Sequence, residues 1–171
     1  LLRHRIESYG VAVELYRKDY PGGTPDFVQV IDLSGGARLS LLHGPIAEPG
    51  AGQGAYSGGN PRFSRQPLQQ VWDSFAAGDG QAFCLVNGAF FSTDEDPTPL
   101  AFPLKVGGEV VSQGYGANEY PDQKLMLELW PDHALISPLS ADALASSSAP
   151  QILAGLSEEA DKSPDALVGR T

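Results

Sequence analysis

The sequence contains a single cysteine, Cys84, among its 171 residues. An intrachain disulfide and a metal cluster built on cysteine are therefore excluded. Cys84 lies in the apolar run of residues 82–86, which is typical of a small buried hydrophobe rather than of a nucleophile. The 3 histidines do not show the HExxH spacing, or a similar one, of zinc ligands. We expect neither a metal site nor a cofactor.

Positive charge is also scarce. Lysine and arginine number 11 against 21 acidic residues, which gives a net charge of −10. Such a chain repels phosphate backbones and anionic lipid, so nucleic acid is not expected as a partner. No apolar run approaches the length of about 20 residues that crosses a bilayer, so we expect no membrane span.

The composition favours a folded, turn-rich domain. Hydrophobic residues make up 42% of the chain, which is enough to form a core. The 20 glycines and 14 prolines argue against a helical bundle or a coiled coil. The length fits one domain of about 150 residues or a large piece of one.

Hydrophobic patterning predicts many strands and one main helix, which is typical of the α+β class. We expect a mixed, mostly antiparallel twisted sheet with one amphipathic helix packed on it. Predicted hairpins join residues 27–33 to 37–42, 100–106 to 109–113, and 124–130 to 133–136. Further strands are predicted at residues 9–16, 81–86 and 151–155, with 81–86 inside the sheet, and a helical turn at 141–145.

The main helix is predicted over residues 64–77. Ser64 is a suitable N-cap, and Gly78 is expected to end the helix. One apolar stripe should pack on the sheet. It consists of Leu68, Val71, Trp72 and Phe75.

A glycine-rich segment, residues 44–61, has few apolar anchors and predicts a long loop. Long loops in compact domains are usually functional or mobile. The segment lacks the Gly-Lys-Ser/Thr ending of a phosphate-binding P-loop, and no βαβ unit surrounds it as in a Rossmann fingerprint.

The sharpest local feature is the sequence Asn-Gly-Ala-Phe-Phe at residues 87–91, after the predicted buried strand. Asn87 offers an amide for sugar hydroxyls, and Gly88 lets the backbone approach a ligand closely. Phe90 and Phe91 could stack on a sugar face. An ordinary Asn-Gly turn followed by two core phenylalanines is the structural alternative.

This motif and its surroundings resemble the phosphodiester glycosidase family. The similarity lies in FCLVNGAFF at residues 83–91, PLAF at 99–102 and the hairpin VGGEV at 106–110. Family members carry Asn-Gly-Gly-Phe-Phe after a buried strand, then an Arg-Thr strand, and finally an Asp-Gly-Gly-Gly-Ser motif. Here Ala89 replaces the second glycine, which narrows the expected pocket.

The resemblance implies a domain that continues beyond this chain. Residues 169–171, Gly-Arg-Thr, match the start of the Arg-Thr strand, and the Asp-Gly-Gly-Gly-Ser motif is absent. We therefore expect the N-terminal part of a single domain, with residues 1–25 as a leading strand and loop and 26–171 as the family-like region. A C-terminal fragment of the same protein is the expected partner.

The implied activity is hydrolysis of a sugar-1-phosphodiester, with a phosphorylated sugar or glycan as the substrate. The resemblance assigns catalysis to Asn87 and Arg170, with Arg170 as a bidentate phosphate clamp. It places Gly88, Phe90, Phe91 and Thr171 in substrate binding. His43 follows a predicted strand and is a candidate base or phosphate donor, or simply a strand-end histidine. Relatives of the family act outside the cytoplasm, so an extracytoplasmic setting is expected.

Two other functions remain open at this stage. The chain could be a non-catalytic domain that binds a glycan or envelope polymer on the same scaffold. It could also be a glycosidase for neutral substrates that uses Asp94 or Glu95 with a second acid. Asp94, Glu95 and Asp96 precede Pro97, however, and such a run is more often a solvated turn than a base or a Ca²⁺ site.

Overall fold

The computed structural model describes residues 4–8, 12–50, 52–56, 58–78, 82–116, 119–158 and 167–168. These residues form mostly antiparallel sheets with one main helix, so the predicted α+β class is confirmed. The chain divides into two compact units. The first extends to Leu39 and includes Pro131–Ala134, and the second contains Ser40–Trp130 and the residues from Leu135 onward.

The first unit is a three-stranded antiparallel sheet in the order β1-β2-β3. Its strands are β1 (His4–Ser8), β2 (Val13–Lys18) and β3 (Asp26–Ile31). The segment between β2 and β3 is a loop, as its Pro-Gly-Gly sequence predicts. Sequence patterning did not predict β1.

The predicted hairpin between residues 27–33 and 37–42 is wrong, because β3 pairs with β2 instead. The turn after β3 does form. The Asp32 carboxylate accepts hydrogen bonds from the Ser34 hydroxyl at 2.7 Å and the Gly35 N–H at 3.0 Å. The chain then leaves the sheet, since residues 37–45 form no strand and the Leu41 N–H donates to the Gln151 side chain at 2.6 Å.

The main sheet of the second unit has the strand order β10-β9-β11-β7-β8, with β12 also paired to β11. Its strands are β7 (Leu104–Val106), β8 (Glu109–Ser112), β9 (Leu125–Leu129), β10 (Ala134–Pro138), β11 (Gln151–Glu158) and β12 (Leu167–Val168). The two later hairpins and the strand at 151–155 are thus confirmed. The β7–β8 turn uses Gly107 and Gly108 at φ 62° and 88°, a conformation that glycine adopts without strain.

The predicted interior strand at residues 81–86 is wrong. Residues 82–89 form no strand, and the Val86 side chain is 72% exposed. The central position of the sheet is occupied by β11, which pairs with β9 on one side and β7 on the other. Residue 81 lies outside the described residues.

The second unit also contains a second small sheet and the main helix. The sheet has the order β4-β5-β6, formed by β4 (Ile46–Glu48), β5 (Arg62–Phe63) and β6 (Thr98–Pro99). The helix α1 (Leu68–Gly78) begins four residues after Ser64, because the Pro67 carbonyl accepts the first helical bond from Gln70 at 2.9 Å. None of its residues is fully buried, and α1 packs closely against none of the described strands, so the predicted packing of its apolar stripe on the sheet is not seen.

A short helix, α2 (Ala141–Ser146), covers the larger of two hydrophobic clusters. The Ser140 hydroxyl caps it by accepting a bond from the Ala143 N–H at 3.0 Å. The larger cluster centres on Phe102, Met126, Leu144 and Ile152, and the smaller one on Phe63, Leu100 and Leu104. Among the described residues no helix has the length and apolar character needed to cross a membrane.

Candidate functional site

The second unit holds an open cavity of about 240 Å³. Three stretches of chain form most of its walls: residues 40–44, residues 63–68 with Val71 of α1, and residues 85–89 with Phe91. Leu100, Leu104 and Leu153 contribute from the sheet side. The walls therefore come from segments that lie far apart in sequence, as is usual for binding sites on a folded scaffold.

The first wall carries His43 and is fixed to the second wall by backbone contacts. The Ser64 N–H donates to the Pro45 carbonyl at 2.9 Å. Gly44 lies so close to Ser64 that a Cβ there would be 2.4 Å from the Ser64 carbonyl oxygen. Only glycine fits this close approach, which explains the glycine at position 44.

The His43 ring is oriented by two neighbours. Its Nδ1 lies 2.8 Å from the Gly44 carbonyl oxygen, and its ring meets the Phe63 ring edge-on at a centroid distance of 5.5 Å. A carbonyl oxygen only accepts, so Nδ1 carries the proton in this contact. In a neutral ring this contact leaves Nε2 as the accepting nitrogen, which is the arrangement required of a general base.

The third wall carries Asn87 and Gly88 and is anchored downstream by Phe90. The Phe90 ring packs against Phe102 at 6.1 Å and stacks on Tyr120 at 6.3 Å, both between centroids. The Ala101 N–H also donates to the Phe90 carbonyl at 2.8 Å. Phe90 thus positions the motif from the core side, whereas Phe91 lines the cavity.

Arg65 brings a guanidinium to the second wall. One of its terminal nitrogens donates to the Thr93 carbonyl at 2.7 Å, and its Nε lies 4.0 Å from an Asp96 carboxylate oxygen. The Arg65 backbone N–H also donates to Asp96 at 3.1 Å. These contacts hold the side chain by one edge, and 40% of it remains exposed. A guanidinium held in this way can still donate to an anion.

The cavity mouth carries exposed polar side chains, and most of the buried lining residues are apolar. The polar lining residues His43, Arg65 and Asn87 are exposed, whereas Phe63 and Leu104 are only 4% and 3% exposed. The smaller hydrophobic cluster therefore forms most of the floor, beside the buried Thr98, and the polar groups lie at the mouth.

The structure brings four of the seven predicted site residues to this cavity: His43, Asn87, Gly88 and Phe91. Phe90 is half-buried and packs against the larger hydrophobic cluster instead. Arg170 and Thr171 lie outside the described residues.

The acidic run occupies an exposed loop that does not line the cavity. Glu95 forms an ion pair with Arg62, and Asp96 contacts Arg65. Asp94 is held through its backbone, because its N–H donates to the Ser92 hydroxyl at 3.3 Å. This arrangement fits the solvated-turn interpretation of the run.

Sequence reasoning missed Arg65. Arg65 falls within the helix predicted over residues 64–77, whereas α1 begins only at Leu68. With 11 basic residues in a chain of net charge −10, each cation is uncommon enough to be tested as an anion ligand. Pro67, which favours the first turn of a helix, was the signal that would have placed Arg65 in a loop.

The groups with displaced pKa values do not line the cavity. Burial raises the pKa of Tyr56, and burial together with the charges of Tyr120 and Glu119 raises the pKa of Tyr115. The hydrogen bond from Ser34 lowers the pKa of Asp32, and the one from His133 lowers the pKa of Asp132. Within the described ranges no group of three or more His, Cys, Asp or Glu side chains is placed to hold a metal ion.

Comparison with known proteins adds no relative. No family model, no curated protein sequence and no solved structure matches the chain at a significant level.

Proposed function

We propose that the cavity binds and hydrolyses a sugar-1-phosphodiester. The observation that supports this is the meeting of His43, Arg65 and Asn87 at one mouth, although 44 residues separate the first from the last. In this reaction a base can accept the proton of water, a cation can stabilise the phosphate leaving group, and an amide can hold the sugar. Asn87 is also a residue to which the resemblance to phosphodiester glycosidases assigns catalysis.

Each residue has a distinct role in the proposed reaction. The Asn87 amide holds a sugar hydroxyl, and the Arg65 guanidinium holds the phosphate. The bond between the anomeric carbon and the phosphate oxygen breaks, and the phosphate monoester leaves with the electron pair. A water molecule bonds to the anomeric carbon, and its proton passes to Nε2 of His43.

Arg65 takes the place that the resemblance assigns to Arg170. A phosphate monoester is a good leaving group, so charge neutralisation matters more than a strong general acid. In a chain of net charge −10, a local cation must offset the field that repels the substrate.

The test uses the whole protein with two substrates, the methyl phosphodiesters of α-glucose-1-phosphate and of N-acetyl-α-glucosamine-1-phosphate. We expect release of free sugar. In water enriched with ¹⁸O, the label should enter the sugar, because the carbon–oxygen bond breaks. Label in the phosphate would instead show phosphodiesterase chemistry and contradict the proposal.

Variants then test the named residues. Asn87→Ala and Arg65→Gln should each lower kcat/KM at least about tenfold, the scale of one lost charged or oriented contact. Arg62→Gln is the matched control, since Arg62 is also an arginine near the start of α1 but does not line the cavity. Wild-type turnover in both cavity variants would remove the assigned roles.

A domain that only binds glycans is the second candidate. It predicts binding of the same phosphodiesters with no release of sugar. The observation that favours it is the absence of carboxylates among the cavity-lining residues that the structure describes.

A further inference from the structure

We infer that the cavity takes a phosphodiester whose alcohol is apolar, with the phosphate at the mouth and the alcohol chain on the floor. This inference deepens the proposed function and rests on it for the identity of the sugar. It names the part of the substrate that lies beyond the phosphate.

The floor of the cavity favours an apolar group. Phe63, Leu100 and Leu104 are buried and offer no hydrogen-bonding side chain to a ligand. The one buried polar residue among the described lining residues is Thr98, and its hydroxyl already donates to the Ser92 carbonyl at 3.0 Å. A sugar hydroxyl pressed against the apolar side chains would lose its bonds to water and gain none, at a cost of about 1–3 kcal/mol each. A hydrocarbon chain gains free energy in the same place.

Apolar side chains also continue from the floor of the cavity to its solvent-exposed rim. Leu68 and Leu42 line the cavity and are 47% and 46% exposed, and Val86 is 72% exposed. Exposed apolar groups that join a buried apolar floor form one continuous surface. A ligand with an apolar chain would cover it, whereas a bare sugar phosphate would leave it in water.

The position of Arg65 indicates which part of the ligand meets the apolar wall. Arg65 lies three residues before Leu68 and six before Val71, so the apolar wall of α1 begins one short step along the chain after the proposed phosphate-binding residue. Asn87 and Phe91 lie on the other wall and suit the sugar. The alcohol, on the far side of the phosphate from the sugar, is therefore the group that meets the apolar wall.

The experiment measures binding and needs no turnover. Methyl, butyl and octyl phosphate are titrated into the whole protein by calorimetry, below the concentration at which octyl phosphate forms micelles. Each methylene that enters the floor should tighten binding about fourfold, until the floor is filled. Equal dissociation constants for the three esters would overturn the inference.

A matched pair of variants locates the effect. Leu68→Gln changes an exposed residue of the rim and should flatten the dependence on chain length. Leu135→Gln changes a residue of β10 that is 52% exposed and does not line the cavity, and it should leave the dependence intact. Loss of the dependence in both variants, or in neither, would contradict binding in this cavity.

The outcomes separate this inference from the proposed function. Tighter binding of octyl phosphate without sugar release from any phosphodiester supports the apolar floor and rejects hydrolysis. Release of sugar from the methyl phosphodiester with no dependence on chain length supports hydrolysis and rejects the apolar alcohol. An octyl chain that improves binding only when attached to the sugar, as in an N-octanoyl sugar phosphate, would also reject it.

Discussion

The His43 ring packs edge-on against the Phe63 ring, with their centroids 5.5 Å apart and their planes at 67°. Phe63 belongs to the buried floor, and His43 belongs to the exposed mouth. This one contact therefore connects the hydrophobic cluster to the proposed base. A side chain oriented by the core loses less conformational entropy when a ligand binds.

Replacement of Gly44 should disturb this arrangement. In Gly44→Ala the new Cβ would meet the Ser64 carbonyl oxygen at 2.4 Å, and backbone on both sides would have to move. We expect a loss of about 1–3 kcal/mol in the free energy of unfolding, measured by urea denaturation, and weaker phosphate-ester binding. Gly50→Ala is the control, because nothing lies within 4 Å of its Cβ position. Equal stability of the two variants would contradict the close approach.

A buried polar network links three strands through Ser147. Glu128 is 6% exposed and accepts bonds from the Ser137 hydroxyl at 2.6 Å and from the Ser147 hydroxyl. Lys105, 7% exposed, donates to the Ser147 carbonyl at 2.9 Å. The Ser147 hydroxyl also accepts from the Ala149 N–H at 3.2 Å.

Removal of the Ser147 hydroxyl should therefore be costly. Ser147→Ala leaves a buried carboxylate oxygen and a buried N–H without this partner, and we expect a loss of about 1–3 kcal/mol in urea denaturation. Ser146→Ala changes the adjacent exposed serine and should alter stability by less than about 0.5 kcal/mol. The prediction is wrong if the two variants unfold at the same urea concentration.

Gly155 allows Phe102 to fill the larger cluster. It has φ +95°, and a Cβ there would be 2.4 Å from the ring of Phe102, which is fully buried. Gly155→Ala should cost about 1–2 kcal/mol for the backbone conformation and about 1–3 more for overpacking. Gly108→Ala separates the two, since φ is +88° there and its Cβ position is open. A similar loss in both variants would show that Phe102 moves aside freely.

The Asp32 carboxyl should titrate below its usual range. Its pKa is lowered chiefly by the Ser34 hydroxyl and then by the Gly35 N–H. A group whose pKa is lowered by folding stabilises the fold above the unfolded pKa, and this contribution is lost as pH falls through the folded value. Carbon-detected NMR of the carboxyl should give a depressed midpoint that rises in Ser34→Ala. An unchanged midpoint in that variant would assign the effect to the backbone alone.

The fold could be predicted where turn chemistry and strand pattern agreed. Gly107 and Gly108 between two apolar runs specified the β7–β8 hairpin, since both residues adopt positive φ. The pairing of β3 could not be read in the same way. A turn sequence shows that the chain reverses, but long-range bonds, here from Leu41 to Gln151, decide whether the returning segment joins the sheet.

Side-chain chemistry predicted part of the site, whereas the predicted secondary structure around it was wrong. The side-chain chemistry of Asn87 and His43 predicts a role for both in the site, and both line the cavity. The apolar run before Asn87 predicted an interior strand, but its residues Leu85 and Val86 line the cavity instead. A hydrophobic run indicates that its side chains contact apolar groups, but it does not distinguish the protein core from a ligand-binding surface.

Gly88 offers a test of ligand approach that does not disturb folding. A Cβ at Gly88 would lie 3.5 Å and 3.6 Å from the two methyl carbons of Leu153, which is ordinary contact. Gly88→Ala should therefore keep the stability of the wild type or gain about 0.4–1 kcal/mol through the unfolded chain.

The same methyl group would project where Gly88 lines the cavity. If the substrate approaches the backbone at Gly88, we expect kcat/KM for the methyl phosphodiesters to fall at least about tenfold. Gly59→Ala is the control, because its Cβ position is open and it does not line the cavity. Full activity in a stable Gly88→Ala protein would show that the substrate stays away from this backbone, and the sugar would then have to be held by side chains alone.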